Sequence, residues 1–162
     1  GQFLVDVFHE WYAHDVGKIY VSQFDNLLGQ WLGYPSTTCV HQPTCGQSLI
    51  TEANGDVYTC DHFVYPEYKV GNLTQQPLTE IVLSNKQQQF GLEKSQKLTA
   101  LCRHCEFRKL CYGGCPKHRF VSLENESNPH NYLCASYRYF FEQTALYMQA
   151  MAHQIRLHPS AA

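Results

Sequence analysis

Residues 102–116 read CRHCEFRKLCYGGCP, with four cysteines close together and a proline behind the last. Thiols packed this tightly serve disulfides, zinc or iron–sulfur clusters. The chain holds eight of them: Cys39, Cys45, Cys60, Cys102, Cys105, Cys111, Cys115 and Cys134. In a small secreted protein an even number would read as a disulfide framework. At 162 residues this chain can bury a real core without staples. Its start, GQFLVDVFHEW, lacks the basic and apolar regions and the cleavage site of a secretory signal. A cytoplasmic location is expected, where clustered thiols hold metal more often than they pair. Residue 1 is glycine, which points to a processed or excised piece.

Within the quoted stretch, Cys102 and Cys105 form a CxxC pair, and Gly113 and Gly114 let the backbone approach a metal centre closely. Zinc accepts such a pair but prefers closed four-ligand sites, often built from two of them, and only one is present. Cys115-Pro116 is more telling. In two-cluster ferredoxins a compact cysteine run ends in Cys-Pro, and that last cysteine serves the other cluster. On that precedent Cys102, Cys105 and Cys111 bind one centre, which Cys134 could complete. Cys115 then reaches across to join Cys39, Cys45 and Cys60. Arg103, Arg108, Lys109, Lys117 and Arg119 crowd this region against one acid, Glu106. They form either a positive collar that stabilises an anionic cluster or a solvated surface. His41, His62, His104 and His118 lie near cysteines as substitutes in a zinc site, but eight thiols leave them unneeded as ligands.

Outward from the motif, Phe3, Leu4, Val7, Phe8 and Trp11 recur at helical spacing, as do Phe24, Leu27, Leu28, Trp31 and Leu32. Between them Lys18–Val21 (KIYV) predicts a short strand. LITEANGDVYTC predicts a hairpin turning at Asn54-Gly55-Asp56. A helix is expected from Pro77 onward, with Gln87–Gln89 on its solvated face. Phe120–Asn131 reads as a loop. From Asn131 to His158 a long helix is expected, with Leu133, Tyr137, Phe140, Phe141, Met148, Met151 and Ile155 on one apolar face. The formal net charge of -2 argues against nucleic-acid binding by bulk electrostatics, and no apolar run is long enough to span a membrane.

The order C-x5-C-x14-C, a long gap, C-x2-C-x5-C-x3-C, a gap and C resembles the SPASM domain of radical S-adenosylmethionine enzymes, above all the anaerobic sulfatase-maturating enzymes. GDVYTCD and VGNL look like that family's hairpin and following segment. The resemblance implies an α+β fold: the end of a partial (β/α) barrel in residues 1–35, a cysteine-rich SPASM domain in 36–135 and a C-terminal helix in 136–162. It implies two [4Fe-4S] clusters, one on Cys39, Cys45, Cys60 and Cys115, the other on Cys102, Cys105, Cys111 and Cys134. It implies oxidation of a cysteine or serine of a sulfatase to formylglycine, with an electron donor such as ferredoxin or flavodoxin as partner.

Asp61 falls where the resembling family has an aspartate proposed to deprotonate the substrate. The reaction must release a proton, and a carboxylate whose pKa is raised by burial can take it. A turn aspartate bonding its own backbone is the plainer reading. Tyr65 and Tyr68 lie in the loop expected to face the peptide. The CxxxCxxC motif that binds S-adenosylmethionine and a third cluster in the family is missing: Cys111 and Cys115 have the first gap, but His118 stands where the third cysteine would be. Alone, the chain is expected to be inactive. The alternatives are the SPASM part of another peptide-modifying radical enzyme, a stand-alone electron carrier, and a zinc-stabilised peptide-binding module. Zinc is also expected in an aerobic preparation.

Overall fold

Aromatic side chains at helical spacing need a partner surface, and here the first two helices find it on the last. The computed structural model describes residues 1–158. In it α1 (Gln2–His14) and α2 (Ser22–Leu32) both pack along α7 (Cys134–Leu157). Phe8 of α1 meets Phe24 of α2 edge-on at 5.4 Å and Phe140 of α7 at 6.1 Å. Val5, Trp11, Leu27, Phe141, Met148 and Ala152 complete this core. Each buried Phe or Met contributes roughly 2–3 kcal/mol of transfer free energy. The expected face of the last helix is the one used, with Tyr137, Met151 and Ile155 packed against its edge. Residues 159–162, the end of the expected C-terminal segment, lie outside the described residues.

Lys18–Val21 is not a strand. The Asp15 carbonyl accepts from Lys18 N and Ile19 N, which makes a turn, and the Trp11 indole N–H donates to Ile19 O at 2.9 Å. Val21 caps α2, its N–H donating to the Asp25 carboxylate at 2.7 Å. Ile19 and Tyr20 are 54% and 71% exposed, so their β propensity has no neighbouring strand to act on.

The hairpin forms as expected. β1 (Ile50–Thr51) pairs with β2 (Asp56–Tyr58), Ile50 opposite Tyr58, around Gly55 at φ +84°. β3 (Lys69–Asn72) adds to β2, and the Asn72 amide donates to Asn54 O and to the Asp56 carboxylate, which pins the turn. After Pro77 the helix breaks in two: α3 (Leu78–Val82) ends at Leu83, and Ser84 caps α4 (Asn85–Gln96) through the Gln87 N–H. The short helices α5 (Ala100–Arg103) and α6 (Arg108–Cys111) carry the dense cysteine motif. Phe120–Asn131 is not wholly loop, since β4 (Arg119–Val121) pairs with β5 (His130–Asn131). Both residues of β5 are buried, so pairing satisfies backbone groups that water cannot reach. No described helix is long and apolar enough to cross a membrane.

Candidate metal centre

Of the cysteines, Cys39 opens a single 3₁₀ turn (Cys39–His41) and Cys45 and Cys60 sit on irregular chain, all of which needs something rigid beneath it. That support is α4. Gly91 lies against the Cys45 loop so closely that a Cβ there would meet Cys45 O at 2.7 Å, and Gly91 O accepts the Cys45 N–H at 3.1 Å. One turn earlier, the Gln87 amide donates to Gly46 O at 2.6 Å and to Thr59 O at 3.3 Å, joining the Cys45 and Cys60 segments. One turn later, Lys94 Nζ donates to Cys39 O at 2.6 Å and Val40 O at 3.0 Å. Gln87 and Lys94 are only 4% and 1% exposed, so Gln87 leaves the solvated face expected for the glutamine run, while Gln88 and Gln89 stay exposed on it. Positions 87, 91 and 94 share one helix face, which is the signal the sequence carries for this platform. A second joint comes from α2: the buried Asn26 accepts from Thr37 N at 2.7 Å and donates to Ser36 and Thr38 hydroxyls, which fixes the approach to Cys39.

Cys115 follows a turn in which Tyr112, Gly113 and Gly114 are all left-handed, at φ 47°, 71° and 62°. It comes beside the first three cysteines. Burial pushes the Cys45 thiol up, Lys94 opposes this, and Cys115 and Cys39 push it further up. Cys60 is pushed up to about 12 by burial and by the Asp61 carboxylate, which accepts its proton at 3.0 Å. His62 Nδ1 lies 3.6 Å from Cys115 Sγ.

Cys102, Cys105, Cys111 and Cys134 line one cavity of ≈ 480 Å³, with Gly113, Asn131 and Tyr137 among the other walls. Cys115 is not in its lining. Thr99 caps the turn that presents Cys102, and Cys134 is the first residue of α7. Burial pushes Cys111 up to about 11, with Cys102 and Cys134 adding to the effect; Cys134 is raised likewise, by burial and then by Cys102 and Cys105. A cationic centre reverses such upward shifts, because a coordinating thiol is deprotonated outright. None of the eight is in a disulfide. Among the described residues no three His, Cys, Asp or Glu side chains are disposed to hold a metal ion. A cavity of ≈ 480 Å³ walled by four thiols is instead roomy enough for a multi-atom cluster.

Of the five basic residues near the motif, Arg108 lines the four-thiol cavity and Arg119 holds the turn between Cys111 and Cys115, donating to the carbonyls of Tyr112, Gly113, Gly114 and Lys94. Lys117 lies over the Tyr65 ring at 4.2 Å and donates to its hydroxyl at 2.7 Å. His41 is buried, takes a hydrogen bond from the Gln23 amide at 3.2 Å, and is held down to about 4 by burial and by Lys94. Asp61 departs from expectation: it is exposed, and the Cys60 thiol and His62 N–H beside it lower its pKa rather than raise it.

Residues 39–106 match the family model of SPASM, described as an iron-sulfur cluster-binding domain. The chain carries a SPASM domain and is a relative of the anaerobic sulfatase-maturating enzymes. It is 42% identical over 155 residues to a serine-type anaerobic sulfatase-maturating enzyme of Bacteroides thetaiotaomicron, an alignment covering 96% of this chain and 37% of the relative. To a cysteine-type enzyme of Clostridium perfringens it is 34% identical over 143 residues, covering 87% of this chain and 38% of the relative. Among solved structures it is similar to native anSMEcpe with bound AdoMet and Kp18Cys peptide, at a TM-score of 0.80 and 33% identity, covering 94% of this chain and 42% of that one. The chain therefore spans little more than a third of the length of these curated relatives.

Proposed function

We propose that this chain is the auxiliary-cluster and substrate-binding part of a radical S-adenosylmethionine enzyme that oxidises a cysteine or serine of a sulfatase to formylglycine. The observation that carries this reading is the cavity walled by Cys102, Cys105, Cys111 and Cys134. The influence of Cys115 and Cys39 on the Cys45 thiol, and of Cys115 on Cys60, supports a second set of Cys39, Cys45, Cys60 and Cys115. Each set would hold a [4Fe-4S] cluster, which when bound carries electrons and, fully ligated by thiolate, offers substrate no open iron. Residues 1–35 are read as the end of a partial barrel, 36–135 as the cluster domain and 136–162 as the C-terminal helix.

Around these sets the chain's own residues bind, orient and accept protons. With Cys60 engaged as a thiolate ligand, it has no proton to give Asp61. The carboxylate is then free to accept one from the thiol or hydroxyl of the target residue. Its exposure here means that the burial needed to raise its pKa must come from the peptide or from protein outside this chain. Tyr65, held by Lys117, and Tyr68 present aromatic surface beside it for a sulfatase peptide. S-adenosylmethionine and a third cluster need the CxxxCxxC motif, which this sequence lacks, so the chain alone does not carry out the reaction. Electrons are exchanged with a small redox protein such as ferredoxin or flavodoxin.

Iron, acid-labile sulfide and zinc per chain after anaerobic reconstitution test the reading. About eight irons and eight sulfides are expected, as two cubanes require. About two zinc ions with no iron uptake would sink the electron-transfer role and leave a metal-stapled, peptide-binding scaffold.

A further inference from the structure

The Tyr112–Gly114 turn separates Cys111, in one set, from Cys115, in the other. Left-handed backbone is strained for a residue with a Cβ, and Tyr112 adopts it at φ 47°. All three carbonyls of the turn accept from the same guanidinium: Tyr112 O from Arg119 Nη2 at 2.9 Å, Gly113 O from Nε at 3.2 Å and Gly114 O from Nη2 at 3.3 Å. The remaining arm, Nη1, donates to Lys94 O at 2.7 Å, at the end of the platform helix under the first set. Gly113 O takes a second bond from the Asn131 amide at 3.0 Å. No carboxylate pairs with Arg119 among the described residues.

We propose that Arg119 is a positioning residue shared by both centres: its guanidinium locks the turn that parts Cys111 from Cys115 and supplies one fixed positive charge to both four-thiol sets. The guanidinium lies against the turn flanked by Cys111 of one set and Cys115 of the other, and Cys102, Cys45, Cys111 and Cys115 all favour its charged form against burial. Lys94, more deeply buried than Arg119, has its charge favoured by Cys45, Cys39 and Cys115, all in the first set. A nearby positive charge stabilises the more anionic, reduced form of a cluster and raises its potential. Lysine cannot replace the clamp, because an ammonium lacks the planar fork that reaches several carbonyls at once.

The test rests on the two-cluster reading and uses the full chain, reconstituted anaerobically and titrated with dithionite under electron paramagnetic resonance. Wild type is compared with R119Q, R119K and K94Q. In R119Q both midpoint potentials fall; in K94Q only one falls. R119K keeps both midpoints near wild type but loses iron to a chelator several-fold faster. If R119Q holds its iron and one or neither midpoint falls, the proposal is overturned. If R119Q holds no iron, R119K decides: iron uptake there supports the shared charge, and its failure makes Arg119 a residue of the fold alone and overturns the proposal. Zinc in place of iron in the wild type would bring down the two-cluster reading itself, an outcome distinct from any behaviour of the variants.

Discussion

Where α1, α2 and α7 meet, the buried side chains are Phe8, Phe24, Phe140, Phe141 and Met148, and little polar chemistry is needed to hold them. In the cysteine-rich stretch from Thr38 to Asn131 apolar contacts such as Ile81 and Leu98 are joined by buried polar side chains that tie segments together: Gln87, Lys94, Thr99 and Asn131, with Arg119 partly buried beside them. Most of their donors are spent on backbone carbonyls of the loops that carry cysteines. Area-driven burial tolerates small errors of geometry, whereas a network of directed bonds is worth little until every member is satisfied. The helical pack can stand on its own core. The cysteine-rich stretch is built to be completed by what its thiols hold, since metal binding free energy is folding free energy where a preformed site is costly.

The sharpest way to break this comparison is to strip metal from the reconstituted chain with a chelator and follow hydrogen exchange. Amides between Thr38 and Asn131 are expected to lose most of their protection while those of α1 and α2 keep theirs. Melting of both together would show one cooperative unit. Next in size, Phe140→Ala opens a cavity in the helical core and should cost about 3–5 kcal/mol in denaturant unfolding, with iron per chain unchanged.

His41 joins the two regions, its ring 5.5 Å from Tyr137 and 6.1 Å from Phe141 while its turn carries Cys39. Burial and Lys94 hold it down to about 4 in the fold, against 6.5 when unfolded. Between those values the unfolded chain binds more protons. Stability is therefore full above pH 6.5 and falls by about 3 kcal/mol as pH drops to 4, a slope that His41→Asn should abolish. Gly91→Ala drives a methyl into Cys45 O and should cost about 1–3 kcal/mol by overpacking. Iron analysis should then show loss from the Cys45 set while the Cys102 set stays loaded. Equal loss from both would mean that the platform under one set supports the other as well.

Much of the site was legible because its grammar is local. CxxC, the Cys-Pro ending and the Asn54-Gly55 turn are relations among residues a few positions apart, and the proposed division of the thiols into two fours rests on the Cys-Pro precedent and the family resemblance. The platform was hidden for the opposite reason. Gln87 sits in a glutamine run of low hydropathy, and only the loops folded back over it, tens of residues away in the chain, make it a buried clamp. Lys94 likewise looks like an ordinary helix-surface lysine until Cys39 and Val40 turn their carbonyls toward it. Lys18–Val21 failed in the other direction: a stretch of strand-forming residues became a turn because Trp11 and Asp25 captured its backbone.

By itself, then, the sequence determined the helical faces, the hairpin and the register of the eight cysteines, since these depend on side-chain periodicity and turn chemistry within a few residues. Only the tertiary structure decided which carbonyls Lys94 and Arg119 hold, that α4 is a platform, and that Asp61 stands exposed. Those outcomes depend on which carbonyls and walls converge from distant parts of the chain, and a buried charge is tolerated only where that convergence satisfies it.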